Sequence, residues 1–179
     1  LLISQKLKIT FHINFIQDTQ GQAETAYLAT EIIKSSYNSN QIKDVPLAFH
    51  NGDTILMNRD LNYINRTIYN SFDGVIDTFR SDSDNFSYIS IDSQSIVEKI
   101  VEKKVISNRA TTGFYIFSNY MKYRFLYKKI NKIKKELYIS DVYTEAISRG
   151  QKIFNLHYND PCDTIVIGTP KEYEEWLQK

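Results

Sequence analysis

The run Pro46-Leu47-Ala48-Phe49-His50-Asn51-Gly52-Asp53-Thr54 takes a short apolar stretch into a small, polar turn that carries one carboxylate. A buried strand of an α/β sheet has this form where its carboxyl end opens into a site. Asn-Gly is equally the commonest hairpin turn. At this point both readings stand: Asp53 at the mouth of a site, or Asp53 as a turn or helix cap.

Other chemistry-bearing residues are easier to assign. Ser81-Asp82-Ser83-Asp84-Asn85 is rich in carboxylates but lacks the glycine and the distal Glu of a calcium loop, so it reads as a solvated loop. Cys162 is the one cysteine and has no disulfide partner, and no Cys/His cluster has zinc spacing. The basic run Lys128, Lys129, Lys132, Lys134 and Lys135 has no stacking aromatics interleaved with it and reads as a solvated helix face. With 22 Lys and Arg against 21 Asp and Glu, the net charge of +1 excludes a general electrostatic pull toward nucleic acid or acidic membranes. No apolar run approaches the roughly 18–20 residues needed to cross a bilayer. The expected compartment is the reducing cytoplasm.

The elements that would position these residues alternate. Leu7–Ile16 places Ile9, Phe11, Ile13 and Phe15 on one face and predicts a strand. From Glu24 the spacing turns helical, with Ala26, Ala29, Ile32 and Ile33 sharing a face. Pro46–His50 is the next strand, so strand, helix and strand predict a parallel crossover. Further on, the pattern predicts a helix from Leu61, a buried strand over Gly74–Phe79, and paired strands over Ser87–Asp92 and Ile96–Lys103. A strand over Phe114–Phe117 follows, then a long helix over Tyr120–Lys135 with Met121, Phe125 and Ile130 facing inward. Ser140 is expected to cap a helix that ends before Gly150, and Lys152–Tyr158 to form a strand. Thr169-Pro170-Lys171-Glu172 carries a capping box that opens the last helix. No repeat or linker divides the chain, which predicts a single α/β domain over 1–179.

Three segments together resemble the sugar-phosphate nucleotidyltransferases, in particular the branch of bacterial capsule and surface-polysaccharide loci. The first is Gly21-Gln22-Ala23-Glu24-Thr25 followed by Asn51-Gly52-Asp53-Thr54. The second is Val101-Glu102-Lys103 with Ile106-Ser107-Asn108-Arg109-Ala110-Thr111-Thr112-Gly113-Phe114-Tyr115-Ile116-Phe117. The third is Ile167-Gly168-Thr169-Pro170-Lys171-Glu172-Tyr173. Order and spacing agree from about Leu7 to Leu177.

The resemblance implies a three-layer, Rossmann-like α/β fold with a mostly parallel, mixed sheet. It also implies a reaction in which a phosphate oxygen of a sugar 1-phosphate, or a related phosphomonoester, attacks the α-phosphorus of a nucleoside triphosphate and releases pyrophosphate. Mg²⁺ would be the cofactor, with Asp53 as its ligand. Gly21, Gln22 and Gly52 would lie by the nucleotide. Glu102 would accept hydrogen bonds from the acceptor's hydroxyls, Lys103 would hold its phosphate, and Thr112 and Gly113 would line its pocket. The implied partners are these two substrates, with neither nucleic acid nor membrane, and a homo-oligomer is compatible with the family. Each residue also has a plainer reading: Glu102 and Lys103 as a surface pair, Gly113 as a bulge.

Two departures qualify the resemblance. The family's glycine-rich loop, ending in Arg and followed by a Pro-Lys pair, is not found before Leu7. The chain is therefore expected to be truncated at its amino terminus and, as given, not to catalyse the reaction unaided. Val166 stands where many members carry a second metal-binding Asp, with Asp163 nearby but off register. An alternative is a non-catalytic nucleotide-binding or regulatory module of the same fold. A related glycosyltransferase would need Asp-x-Asp where Asn51-Gly52-Asp53 stands.

Overall fold

The computed structural model describes residues 13–38, 42–69 and 71–178. Among the described residues five α-helices and eight strands are assigned: α1 (Gln22–Ser36), β1 (Leu47–His50), β2 (Thr54–Leu56), α2 (Leu61–Tyr69), β3 (Gly74–Arg80), β4 (Tyr88–Ile91), β5 (Val97–Val101), β6 (Arg109–Phe117), α3 (Tyr120–Tyr127), α4 (Ile139–Ser148), β7 (Ile153–Tyr158), β8 (Thr164–Val166) and α5 (Pro170–Leu177). Most of the strand expected over Leu7–Ile16 lies outside the described residues. Its last part, 13–16, carries no regular structure, and Ile13 and Phe15 are exposed.

The sheet is organised on β6. Its order is β5-β4-β6-β3-β7, with β1 also paired to β6. β3 runs antiparallel along one edge of β6. The other edge is divided: β4 meets it at Ala110, and β1 pairs with residues 114–117. The architecture is mixed, as expected; among the described residues, parallel pairing is confined to β3 and β7. β2 and β8 form a separate antiparallel pair.

Two cores flank the sheet and make it the middle of three layers. On one face, α1, α3 and α4 supply Ala23, Tyr123, Leu126, Val142 and Tyr143 against Ile76, Ile89, Phe117 and Ile153. On the other, Ile64 and Ile68 of α2 pack on Val75, Ile116 and Leu156. Small residues on α1 let the helices approach closely, so that the Tyr123 hydroxyl donates to the Ala23 carbonyl at 2.7 Å. Of the face expected on α1, Ala26 is buried while Ala29, Ile32 and Ile33 are half-buried; Ala23 and Thr30 complete the buried set.

Two helices differ from expectation. The helix predicted to reach Lys135 ends at Tyr127, and it buries Tyr120, Tyr123, Leu126 and Tyr127 rather than Met121 and Phe125, which are exposed. Between it and α4 only Ile130 and Leu137 are buried, and Leu137 exchanges backbone hydrogen bonds with Gln20 and Ala23. The lysine run is thus solvated as expected, but all five lysines lie beyond the end of the helix, in the turn and loop that follow it, rather than on a helix face. The α4 cap is Tyr138, whose amide is accepted by Asp141, and not Ser140, whose hydroxyl turns inward to Glu102. α5 opens on Thr169 with the expected capping box, and Gly150 follows α4 with φ +72°.

Candidate active site

The divided edge of β6 creates a hollow. Between the point where β4 leaves it and the point where β1 joins it lie Thr111, Thr112 and Gly113. Opposite them, the β3–β6 register shifts from Ile76↔Tyr115 to Thr78↔Thr111, a bulge on β6 that faces Asp77. A bulge of this kind re-aims side chains and interrupts pairing. Gly113 makes it with φ +80°, a conformation that L side chains rarely adopt. The plainer reading of Gly113 as a bulge is thus met, and the bulge lies at the hollow. The hollow encloses about 190 Å³ and gathers Gln22, Asp53, Glu102, Lys103, Thr112 and Gly113 from four separate stretches of chain.

Asn51 closes one side. Its amide donates to the Gly113 carbonyl at 3.1 Å, and its side-chain oxygen accepts from Gln22 Nε2 at 2.9 Å. The strand β1 thus delivers Asn51, Gly52 and Asp53 to the rim. Asp53 is exposed; Thr54 Oγ1 donates to its Oδ1 at 3.3 Å, and its carbonyl accepts from the Ile167 amide at 2.8 Å. A Cβ on Gly168 would lie 3.0 Å from Asp53 Oδ2, so Gly168 leaves room for the carboxylate. Val166 pairs with Thr54 and gives the adjoining wall an apolar side chain.

Across the hollow, Glu102 and Lys103 follow β5. Ser87 and Ser140 both donate to Glu102 Oε2, the latter at 2.8 Å, which fixes the carboxylate at the first turn of α4. Lys103 has φ +50° and is exposed; its ammonium lies 5.1 Å from the Tyr138 ring centre and donates to the Tyr138 hydroxyl at 3.0 Å. That bond and the neighbouring negative groups hold the ammonium above its usual pKa. The Tyr138 hydroxyl in turn donates to Glu136, which raises the phenol's own pKa. Tyr115, buried behind Thr111, is pushed up to about 12 by loss of solvent and stays a neutral phenol. The arrangement offers a cation and two carboxylates around one opening, which suits a ligand with both phosphate and hydroxyl groups.

Three of the expected residues sit differently. Gly21 and Gly52 do not line this hollow. Gly21 faces a neighbouring shallow groove, and its φ of +120° together with a Cβ position 2.8 Å from the Leu137 carbonyl accounts for a glycine there on packing alone. Gly52 is exposed in the turn with open space around it. The Thr112 hydroxyl is directed toward the Asp77 carbonyl, at 3.4 Å, and also accepts from the Phe114 amide. Asp163 lies away from the hollow and accepts from Asn58. The sequence did not single out Asn51, Ser87, Tyr138 or Ser140 as site residues; only Asn51 had a signal, its place beside Asp53.

Among the described residues no group of three or more carboxylate, His or Cys side chains is placed to hold a metal, and no salt bridge there involves Asp53. Asp53 nonetheless fits a Mg²⁺ ligand of the usual sparse kind. That ion is held by one or two carboxylates, with substrate phosphates and water completing its shell.

A family model described as nucleotidyl transferase matches residues 2–178. Among solved structures, the chain is similar to a nucleoside-diphosphate-sugar pyrophosphorylase from Vibrio cholerae, with a TM-score of 0.79 and 26% identity, over 92% of this chain and 68% of that one. It shares its fold with a protein from Bacillus anthracis assigned as a glucose-1-phosphate thymidylyltransferase and solved with sucrose, with a TM-score of 0.76 and 16% identity, over 96% of this chain and 65% of that one. No curated protein matches the chain. No helix among the described residues is long and apolar enough to cross a membrane.

Proposed function

The chain belongs to the nucleotidyl transferase family, and on that premise we propose that it serves transfer of a nucleotidyl group from a nucleoside triphosphate to a sugar 1-phosphate or related phosphomonoester, in capsule or surface-polysaccharide synthesis. The observation that carries this reading is the single hollow on the edge of β6 that brings Asp53, Glu102 and Lys103 together. Similarity to a sugar nucleotide pyrophosphorylase from Vibrio cholerae supports a sugar phosphate as acceptor.

In the proposed reaction an acceptor phosphate oxygen forms a bond to the α-phosphorus while the bond to the leaving pyrophosphate breaks, and the pyrophosphate takes the electron pair. Most of the rate enhancement in such transfers comes from holding two anions in line and stabilising their charge. Lys103 has the reach and charge to hold the acceptor phosphate. Glu102, fixed by Ser87 and Ser140, keeps one oxygen for the acceptor's hydroxyls. Gln22, anchored on Asn51, stands on the nucleotide side with Gly21 and Gly52 beside it. Asp53 would hold Mg²⁺, which would supply positive charge to neutralise the triphosphate. The cytoplasm is the compartment proposed for this chemistry.

The test is pyrophosphate release by the product of the whole coding region, using four nucleoside triphosphates, a panel of phosphomonoesters and Mg²⁺. Release with one base, lost on Asp53→Asn, is expected. Folded protein that releases nothing with any pair would sink the enzyme reading and favour a binding module.

A further inference from the structure

We infer that Arg59 is a positioning residue for Asp53: it locks the β2–β8 pair that carries the proposed metal ligand onto the main sheet. This rests on the reading of Asp53 given above.

Arg59 follows β2 by three residues. Its side chain is 5% exposed and that of its partner Asp77 is 0% exposed. All five N–H groups of the guanidinium are used. Nε donates to Asp77 Oδ2 at 3.2 Å, and Nη2 donates to Asp77 Oδ1 at 2.9 Å and to Thr164 Oγ1 at 2.8 Å. Nη1 donates to the Met57 carbonyl at 2.8 Å and to the Asp163 carbonyl. The guanidinium also lies over the Tyr158 ring, 3.8 Å from its centre. One side chain therefore joins β3, β7, the end of β2 and the start of β8.

The placement matters because β2 and β8 pair only with each other among the described strands. Their ladder runs Thr54↔Val166, Ile55↔Ile165 and Leu56↔Thr164. Ile167 donates to the Asp53 carbonyl just past one end, and Met57 donates to the Asp163 carbonyl past the other. Asp53 and Arg59 thus bracket a short, stiff unit. At about 3.3 Å per residue the two ends, Asp53 and Met57, lie roughly 13 Å apart, so a tilt allowed at the Arg59 end is passed to the carboxylate. The anchor touches the site wall through its backbone: Asp77 faces the β6 bulge, and its carbonyl takes the hydroxyl of Thr112, which lines the hollow.

A bare stability role explains this poorly. Burial pushes the Asp77 carboxyl up, and Arg59 opposes that shift. Buried ion pairs are often no more stabilising than apolar residues of similar volume. What the pair supplies is a fixed geometry between two sheets.

The test compares the full-length wild type with Arg59→Lys and with the milder Thr164→Val, which removes one acceptor and keeps a β-branched side chain. Lysine has three donors and no planar fork, so it cannot reproduce the contacts. In Arg59→Lys, amide hydrogen exchange is expected to accelerate over 54–56 and 164–166 while β3 and β7 keep wild-type protection. The Mg²⁺ concentration for half-maximal pyrophosphate release should rise about 10–100-fold, with the acceptor KM within about twofold. Thr164→Val should shift both in the same direction by less. Unchanged exchange in the β2–β8 pair, or uniform acceleration through the whole sheet, in the folded variants would overturn the inference. If Arg59→Lys does not fold, Thr164→Val decides by the same two outcomes. A wild type without pyrophosphate release refutes the proposed function, while the exchange measurement still judges the clamp.

Discussion

Asn51 and Gly113 share one wall of the hollow so closely that a Cβ on Gly113 would fall 2.4 Å from the Asn51 side chain, while the Asn51 amide donates to the Gly113 carbonyl. Backbone pairing and the absence of a side chain are therefore two parts of one contact. Gly113→Ala should cost about 2–3 kcal/mol, since it adds a clash to a strained φ. The Tm should fall by roughly 5–10 °C for a chain of this size. Adding Asn51→Gly should recover part of the loss by relieving the clash, but not the share due to φ. A calorimetric Tm for Gly113→Ala equal to wild type would refute this account of the bulge.

Glu102 offers a second test. Two hydroxyls donate to one of its oxygens, an arrangement that needs an acceptor at that place. Glu102→Gln either turns an NH₂ group on the serines or presents one to the acceptor. The acceptor KM should rise at least about tenfold, a loss on the scale of one charge-assisted hydrogen bond, with the nucleotide KM little changed. Steady-state kinetics varying each substrate separates the two, and a selective change in the nucleotide KM would count against Glu102 as an acceptor ligand.

For Tyr138→Phe, the phenol that holds the Lys103 ammonium at 3.0 Å is removed while the ring beneath it stays. Lys103 then loses its partner and samples more rotamers. The acceptor KM should rise about 2–10-fold, the worth of one hydrogen bond, with thermal stability within about 1 °C, since Tyr138 is only half-buried. Isothermal titration with the acceptor alone checks it; equal affinity for both proteins would show that the tyrosine does not orient the lysine.

His157 makes a prediction about pH. Burial lowers its pKa below the ordinary 6.5, and the nearby charges of Arg109 and Arg80 add to the effect. Between that lowered value and about 6.5 the unfolded chain binds more protons than the folded one, so stability rises with pH through this window and falls on acidification. In His157→Gln that contribution is absent. Thermal melts between pH 5 and 8 should show the Tm difference between wild type and variant shrinking or reversing below about pH 6.5; a difference independent of pH would remove His157 as the source.

The sequence made legible what depends on local pattern. The apolar run before Asn51-Gly52-Asp53 is a strand that ends at a hollow, the 88–101 segment is a hairpin, and Thr169 to Glu172 caps a helix. Periodicity failed on α3, because Met121 and Phe125 have the right spacing but the tyrosines and Leu126 take the core. Thr112 was read as facing an acceptor, yet part of its hydroxyl's capacity is used inside the sheet. Arg59 and Asp77 were not legible at all. Their partners lie 18 and about a hundred residues along the chain, and no spacing rule joins positions so far apart.

The pairing of β2 with β8 also sets the order in which the molecule can become complete during its synthesis. Arg59 and the Thr164 side chain it contacts are separated by 105 positions, and the loop between them closes slowly because nothing rewards it until both ends meet. In a nascent chain β1 can bring Asp53 beside β6 once β6 has been made, but β2 has no strand partner until residues 164–166 follow. The Glu102 and Lys103 side of the hollow can form first, from contacts that span 15 to 38 positions. The Asp53 side waits for residues 163–167 to leave the ribosome, so an unfinished chain would fold its sheet before it acquired the proposed metal-binding rim.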